Sequence, residues 1–129
     1  MSGPRPKIKF GILCEDIRRE DNGKLIILGM YGRNIEISQF PATLAITVLL
    51  AMHADAPGSS RLEVVAYFND IELRKASGSV NFDGKGGALL SLPPLPFSIE
   101  NEGELRFQAR LDEGEWSEIW KGPIEKRSS

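Results

Sequence analysis

Residues 44–53 read LAITVLLAMH, and this stretch decides the fold. Leu44, Ile46, Val48, Leu50 and Met52 fall on one side of an extended strand. Ala45, Thr47, Leu49, Ala51 and His53 fall on the other. A bulky apolar side backed by a smaller, mostly apolar one is the pattern of a central strand. Leu, Ala and Met would also suit a buried helix. The run Ile46-Thr47-Val48 argues for the strand, because β-branched side chains are restricted in helices and pack well on a pleated surface.

Strand signals continue on both sides. Ile8, Phe10, Ile12 and Cys14 form an apolar side that leads into Asn22-Gly23, a strong hairpin signal. With Asn22-Gly23 as the loop, Arg18 faces Ile27, Ile17 faces Leu28 and Cys14 faces Tyr31. The first strand then spans residues 7–20. Its apolar parity switches between Cys14 and Ile17, which predicts a β-bulge near Glu15-Asp16. A short helix over residues 15–20 is the alternative. Ile35 and Ile37 mark a short strand, and residues 55–60 (DAPGSS) a loop. Residues 61–68 end at Asn69-Asp70, a two-residue turn that sets Phe68 opposite Ile71 and Ala66 opposite Leu73.

Residues 77–87 are rich in Gly, Ser and Asn and read as loop, with a short strand over 80–82. The prolines of residues 92–97 (LPPLPF) confine that segment to an edge or crossover. Residues 104–112 alternate cleanly, with Leu105, Phe107, Ala109 and Leu111 inward. A Glu113-Gly114 turn would bring Trp116 opposite Leu111 and Trp120 opposite Phe107. Gly122-Pro123 ends that strand. The whole predicts an all-β antiparallel β-sandwich of about eight strands, immunoglobulin-like in architecture, with a closed β-barrel as the alternative. One domain spans residues 7–124, between a disordered tail at 1–6 and a tail at 125–129.

Composition narrows the function. The chain has 129 residues, enough for a core without staples, and carries a net charge of −2. Residues 1–43 carry +2 and residues 44–129 carry −4, so no basic surface is expected to track phosphates and nucleic acid is disfavoured. Cys14 is the one cysteine, which excludes an internal disulfide. The residues that open the sequence, MSGPRPKIKF, lack the apolar run of a secretory signal. No segment has the continuous apolar length of a membrane span, and Ser2 breaks the myristoylation pattern. A cytoplasmic setting without membrane association is expected.

The run from Phe10 to Ile37 carries a resemblance. An apolar strand enters Cys14-Glu15-Asp16, followed by Asn22-Gly23-Lys24, then Leu25-Ile26-Ile27-Leu28-Gly29-Met30-Tyr31-Gly32, Ile35-Glu36-Ile37 and Phe40-Pro41. Glu102-Gly103-Glu104-Leu105-Arg106-Phe107 extends it. This pattern resembles a family of small bacterial β proteins catalogued only as a domain of unknown function. The resemblance covers residues 7–121 and implies a stand-alone, bacterial, non-secreted β domain. It supplies no catalytic residue.

The candidate chemistry is sparse. Cys14 and His53 could pair as nucleophile and base if their strands met, but Cys14 shares a side with Ile8, Phe10 and Ile12 and reads as a small hydrophobe. One Cys and one His cannot make a zinc site of those ligands. The acidic clusters lack EF-hand spacing, so no metal and no cofactor is assigned. Glu15-Asp16 is the pair a bulge could re-aim. Gly84-Lys85-Gly86-Gly87 fails the phosphate-loop pattern, with Ser79 and Gly86 at required positions. Pro93-Pro94-Leu95-Pro96 could serve as a polyproline ligand only if Leu95 and Phe97 are exposed. Tyr31, Tyr67 and the tryptophans could stack on a sugar, although Trp116 and Trp120 fall on the core parity. Val65 and Tyr67 fall on the outer side of their strand.

The expected function is therefore a non-enzymatic module acting through protein–protein contact, as a homo-oligomer or accessory subunit. The candidate surface is Glu15, Asp16, Tyr31, Val65 and Tyr67. A small-ligand or carbohydrate module using end loops is the alternative, and a hydrolase the third reading.

Overall fold

The computed structural model describes residues 4–127; the outermost residues of both expected tails lie outside them. Ten strands follow in order: β1 (Lys7–Arg19), β2 (Leu25–Tyr31), β3 (Ile35–Ile37), β4 (Ala42–Ala54), β5 (Gly58–Phe68), β6 (Ile71–Phe82), β7 (Gly86–Ser91), β8 (Leu95–Ile99), β9 (Gly103–Leu111) and β10 (Ser117–Lys126). They form two five-stranded sheets. The first runs β2-β1-β4-β7, with β8 also paired to β4; the second runs β3-β10-β9-β5-β6. The fold is all-β.

β4 is central as its pattern requires, bonded to β1, β7 and β8. Ile46, Val48, Leu50 and Met52 enter the core that the two sheets enclose. From the opposite sheet come Leu62, Val64 and Ala66 on β5 and Leu105, Phe107 and Ala109 on β9. Phe97 of β8 meets Phe107 edge-on, with ring centroids 5.8 Å apart, a geometry that suits the ring quadrupoles.

Several expectations are corrected. The β1–β2 hairpin is one residue out of the expected register, with Ile17 opposite Ile27 and Leu13 opposite Tyr31. Glu20 N–H donates to Lys24 O and Gly23 N–H to Glu20 O, so residues 21–23 form a three-residue loop closed by Gly23 at φ 87°. That is a tight turn finished by one left-handed residue, the role glycine fills without strain.

The β-bulge is not at Glu15-Asp16. It lies between Ile8 and Phe10. Its effect is large: Ile8 pairs with Met52 on the core side, while Phe10, Ile12 and Cys14 pair with Ala51, Leu49 and Thr47 on the outward side. The apolar side of β1 thus faces away from the core. Gly11 and Leu13 face inward, and at Gly11 a Cβ would lie 2.8 Å from Ile119 Cβ, so β10 fills the space that glycine leaves.

Asn69 and Asp70 have positive φ and join Phe68 to Ile71 as expected. A register shift between Ala66 and Tyr67 then sets Ala66 opposite Arg74 rather than Leu73, and Ile71 is exposed. Residues 77–79 are strand, not loop, and the short strand expected over 80–82 is the end of β6, which follows β5 to Gly58 opposite Phe82. The last hairpin turns at Asp112-Glu113, both at positive φ, one residue earlier than expected. A second shift in β10, between Glu118 and Trp120, keeps Trp120 opposite Phe107 and leaves Trp116 outside the core. Gly122-Pro123 does not end β10, which continues to Lys126 and pairs in parallel with β3. At the other end, Pro4 O accepts from Asp55 N–H at 2.7 Å, so the chain is held from residue 4 onward.

Candidate functional site

The outward side of the first sheet is built by alternation. In antiparallel strands, directly opposed residues share a face. Leu89 of β7 lies opposite Ala51, which lies opposite Phe10. One pleat on, Ser91, Leu49 and Ile12 form a row, and then Thr47, Cys14 and Met30. Asp16 with Leu28 and Arg18 with Ile26 complete a diagonal band from β7 to β2. Phe10 is 54% exposed, Met30 60% and Leu89 57%, with Ile26 and Leu28 also in water. Leu49 and Ala51 are buried beneath these neighbours. Charge is confined to the ends. Asp16 Oδ2 accepts from Arg18 Nε at 3.2 Å at one end, and Lys7 lies opposite His53 at the other.

The sequence-derived candidates divide between the two sheets. Glu15, Asp16 and Tyr31 lie on β1 and β2; Val65 and Tyr67 lie on β5 of the other sheet. Asp16 Oδ1 accepts the Ile17 N–H at 2.9 Å. Tyr31 is half-buried against the core; burial raises its phenol above the ordinary value, and the Glu15 carboxylate raises it further. Phe10, Ile26, Leu28, Met30 and Leu89 were not among those candidates. The alternation of Ile26, Leu28 and Met30 was available as a signal, but the bulge that turns β1 over was not.

Cys14 is fully buried and its Sγ lies 3.6 Å from Thr47 O. Burial raises the thiol above its ordinary value, so little of it is thiolate at neutral pH. His53 lies six residues along β4 from Thr47, the partner of Cys14, so about 20 Å separates the two at strand spacing. They form no nucleophile–base pair. Among the described residues, no three His, Cys, Asp or Glu side chains gather as metal ligands. Among the described residues, no helix is long and apolar enough to cross a membrane.

The outward side of the second sheet differs. Glu63 is buried and bonded to Arg110 Nε at 2.9 Å, with Lys75 Nζ at 3.3 Å. The hydrogen bond from Arg110 holds its carboxyl below the usual range, with Lys75 adding to the effect against a smaller rise from burial. Arg106 stacks on Tyr67 and Arg110 on Trp116, each 4.5 Å from the ring centroid. Val65 lies beneath, between Gln108 and Lys75, and is buried.

A cavity of about 370 Å³ opens between β6 and the β7–β8 segment, lined chiefly by Leu62, Val64, Val80, Leu90, Leu92 and Leu95. Leu95 packs on the core and Phe97 is buried within it, so residues 93–96 do not present a free polyproline ligand.

The class these features define is an all-β domain with one covered and one uncovered outward face. The chain belongs to DUF6941, a family of unknown function, whose model matches residues 9–120. It is also similar to the CARDB domain of the PF1109 protein of Pyrococcus furiosus, solved in complex with di-metal ions. That likeness has 15% identity and a TM-score of 0.43, and covers 94% of this chain and 99% of that one. No curated protein matches the chain.

Proposed function

We propose that this protein is a non-catalytic β-sandwich, immunoglobulin-like in architecture, that acts through protein–protein contact on the outward side of its β2-β1-β4-β7 sheet. The observation that carries this reading is the exposure of Phe10, Met30, Leu89, Ile26 and Leu28 on one face. Together they leave on the order of 500 Å² of apolar surface in water, at the upper end of what single folded chains expose without a partner. The two middle rows, Ser91–Leu49–Ile12 and Thr47–Cys14–Met30, carry no charged side chain, as expected of an interface centre depleted in charge, while Asp16 and Arg18 lie opposite Leu28 and Ile26 and Lys7 lies one row from Phe10. The non-catalytic part rests on the burial of Cys14 and its distance from His53.

The test is a pull-down of the tagged full chain from lysate, with light-scattering mass on the same preparation. We expect a stoichiometric partner or a homo-oligomer that Phe10→Lys abolishes. A monomer that captures nothing, or captures as well with Phe10→Lys, overturns the reading.

A second reading is favoured by the cavity beside β6. Its apolar lining suits a small apolar ligand rather than a sugar. Stacking of carbohydrate on Tyr67 or Trp116 would have to displace Arg106 or Arg110. A thermal-shift panel of fatty acids and oligosaccharides tests it. A rise with fatty acid that Val80→Trp removes supports it, and no rise with either class sets it aside.

A further inference from the structure

Independently of the outward face, we infer that the seam between β6 and the β7–β8 segment accepts an extended peptide from a partner protein, which adds a strand to the free edge of β6 and seats a large apolar side chain over Gly78.

The two seams between the sheets are finished differently. On the β2–β3 side the chain crosses directly from one sheet to the other, and Trp120 enters the core there and donates to Gly32 O at 3.0 Å. On the other side the edges are β6 in one sheet and β7, followed by β8, in the other. That seam is tied at its two ends. The connection at residues 83–85 crosses at one, and Arg74 Nε donates to Pro96 O at 3.0 Å at the other. The cavity of about 370 Å³ opens between them.

The cavity has a cause in the sequence. The inward row of β6 reads Ala76, Gly78, Val80, opposite Val64, Leu62 and Ser60 of β5. The corresponding row of β4 reads Ile46, Val48, Leu50, Met52. A Cβ on Gly78 would meet nothing within 4 Å, so side-chain volume is missing where close packing calls for it. Next to that wall, Ser60 is buried with its hydroxyl unpartnered.

The edge beside the cavity is also undefended. Sheet edges are commonly blunted by charge, proline or bulges. The β7–β8 segment carries Pro93, Pro94 and Pro96. The first half of β6 carries Glu72, Arg74 and Lys75 and a register shift. From Ala76 to Asn81 there is no charge, no proline and no shift. Among the described residues β6 pairs with β5 alone, so alternate residues of this stretch turn N–H and C=O toward the seam.

Volume and edge together select the occupant. An acyl chain fills the volume but takes water from the edge N–H and C=O groups without pairing them, which is costly. The β6 edge of a second copy would pair, but it brings only Ala76, Gly78 and Val80 and leaves the cavity empty. An extended peptide does both, the mode of strand addition at an exposed sheet edge. Directly opposed residues share a face. Peptide residues opposite Ala76, Gly78 and Val80 therefore point into the seam, and those between them point to water. The recognised segment spans about five residues, roughly 17 Å at strand spacing. It is apolar at alternate positions, with its largest side chain in the middle.

Selection of a random dodecapeptide phage library on the immobilised full chain, with Gly78→Leu as the counter-target, tests this. Enriched peptides should share the alternating apolar pattern. A synthetic copy, followed by fluorescence anisotropy, should bind Gly78→Leu about 100-fold more weakly or worse. The same substitution fills the gap and removes a strand glycine, so it should raise the melting temperature by about 2 °C or more. Two further copies, each N-methylated on one of the two alternate sets of amides, are measured on the wild type, so they decide whatever Gly78→Leu does to folding. At least one should lose binding. Failure to enrich any peptide over Gly78→Leu overturns the proposal, as does undiminished binding of both N-methylated copies. A melting temperature raised by lauric acid in the wild type but not in Gly78→Leu, with no peptide selected, assigns the cavity to an acyl chain instead.

Discussion

The two outward faces of this domain are built on the same pleat and finished in opposite ways. On β5, β9 and β6, buried Val65 lies among long polar side chains, and Tyr67 and Trp116 each carry a stacked guanidinium. On β1, β2 and β7, the central rows lack a side chain able to lay an aliphatic stem over the surface and hold its charge in water. Phe10, Met30 and Leu89 stand uncovered as a result. The difference teaches that exposure is decided by what flanks an apolar residue as much as by which way it points. Val65 and Phe10 both point away from the core, yet only Phe10 is in water.

The largest expected effect concerns what the faces share. Phe107 is fully buried between the sheets, and Phe107→Ala should cost about 3–5 kcal/mol, read from urea unfolding. A loss under 1 kcal/mol would show that the sheets do not depend on a common core and that the faces should be treated apart.

Next comes the covered face. Glu63→Gln keeps the shape and removes the charge between Arg110 and Lys75, so the melting temperature at neutral pH should fall. Because the folded pKa of Glu63 is lowered, its stabilisation is complete above the ordinary Glu value of about 4.3 and disappears as pH drops through the lowered value. The melting temperature of the wild type should therefore fall more steeply than that of Glu63→Gln on acidification through that range. Parallel curves would remove Glu63 from the account of this face.

Arg106→Ala should cost about 1 kcal/mol, through the lost stack on Tyr67 and its contact with Asp70. Tyr67 should become more accessible to a collisional quencher.

The smallest effect belongs to the uncovered face. Leu28→Lys should change the unfolding free energy by no more than about 0.5 kcal/mol, measured by urea unfolding of the purified chain. A large loss there would mean that Leu28 supports the fold, and the contrast between the faces would weaken.

Much of the fold was legible. Strict alternation over residues 44–53 and 104–111 set two strands and their core sides, and Asn69-Asp70 set one hairpin. What was hidden came from register. One inserted residue near Lys9 sends Phe10, Ile12 and Cys14 outward, and another at Ile119 separates Trp116 from Trp120. A bulge leaves no composition mark, so parity carried through it assigns the wrong face. β6 was hidden for another reason. Its Gly and Ser residues read as loop, but pairing with β5 fixes them at a sheet edge, and only Val80 and Phe82 enter the core there. Of the candidate surface, Asp16 lies on the exposed side of the first sheet, whereas Tyr31 packs against the core and Glu15 takes the other side of β1. The strongest members of the exposed band were missed because the apolar side of β1 had already been given to the core.

The parallel pairing of β3 with β10 carries a consequence for how the chain reaches this state. Ile35 sits beside Ile124, so this seam closes only when segments from distant parts of the chain find each other. Contacts of that span are slow to form, and chains dominated by them fold in milliseconds to seconds rather than microseconds. Until β10 arrives, β9 lacks one neighbour and β3 has none in its sheet. Trp120 enters the core and donates to Gly32 O in the same event. Its fluorescence is therefore a clock for the closing of the second sheet.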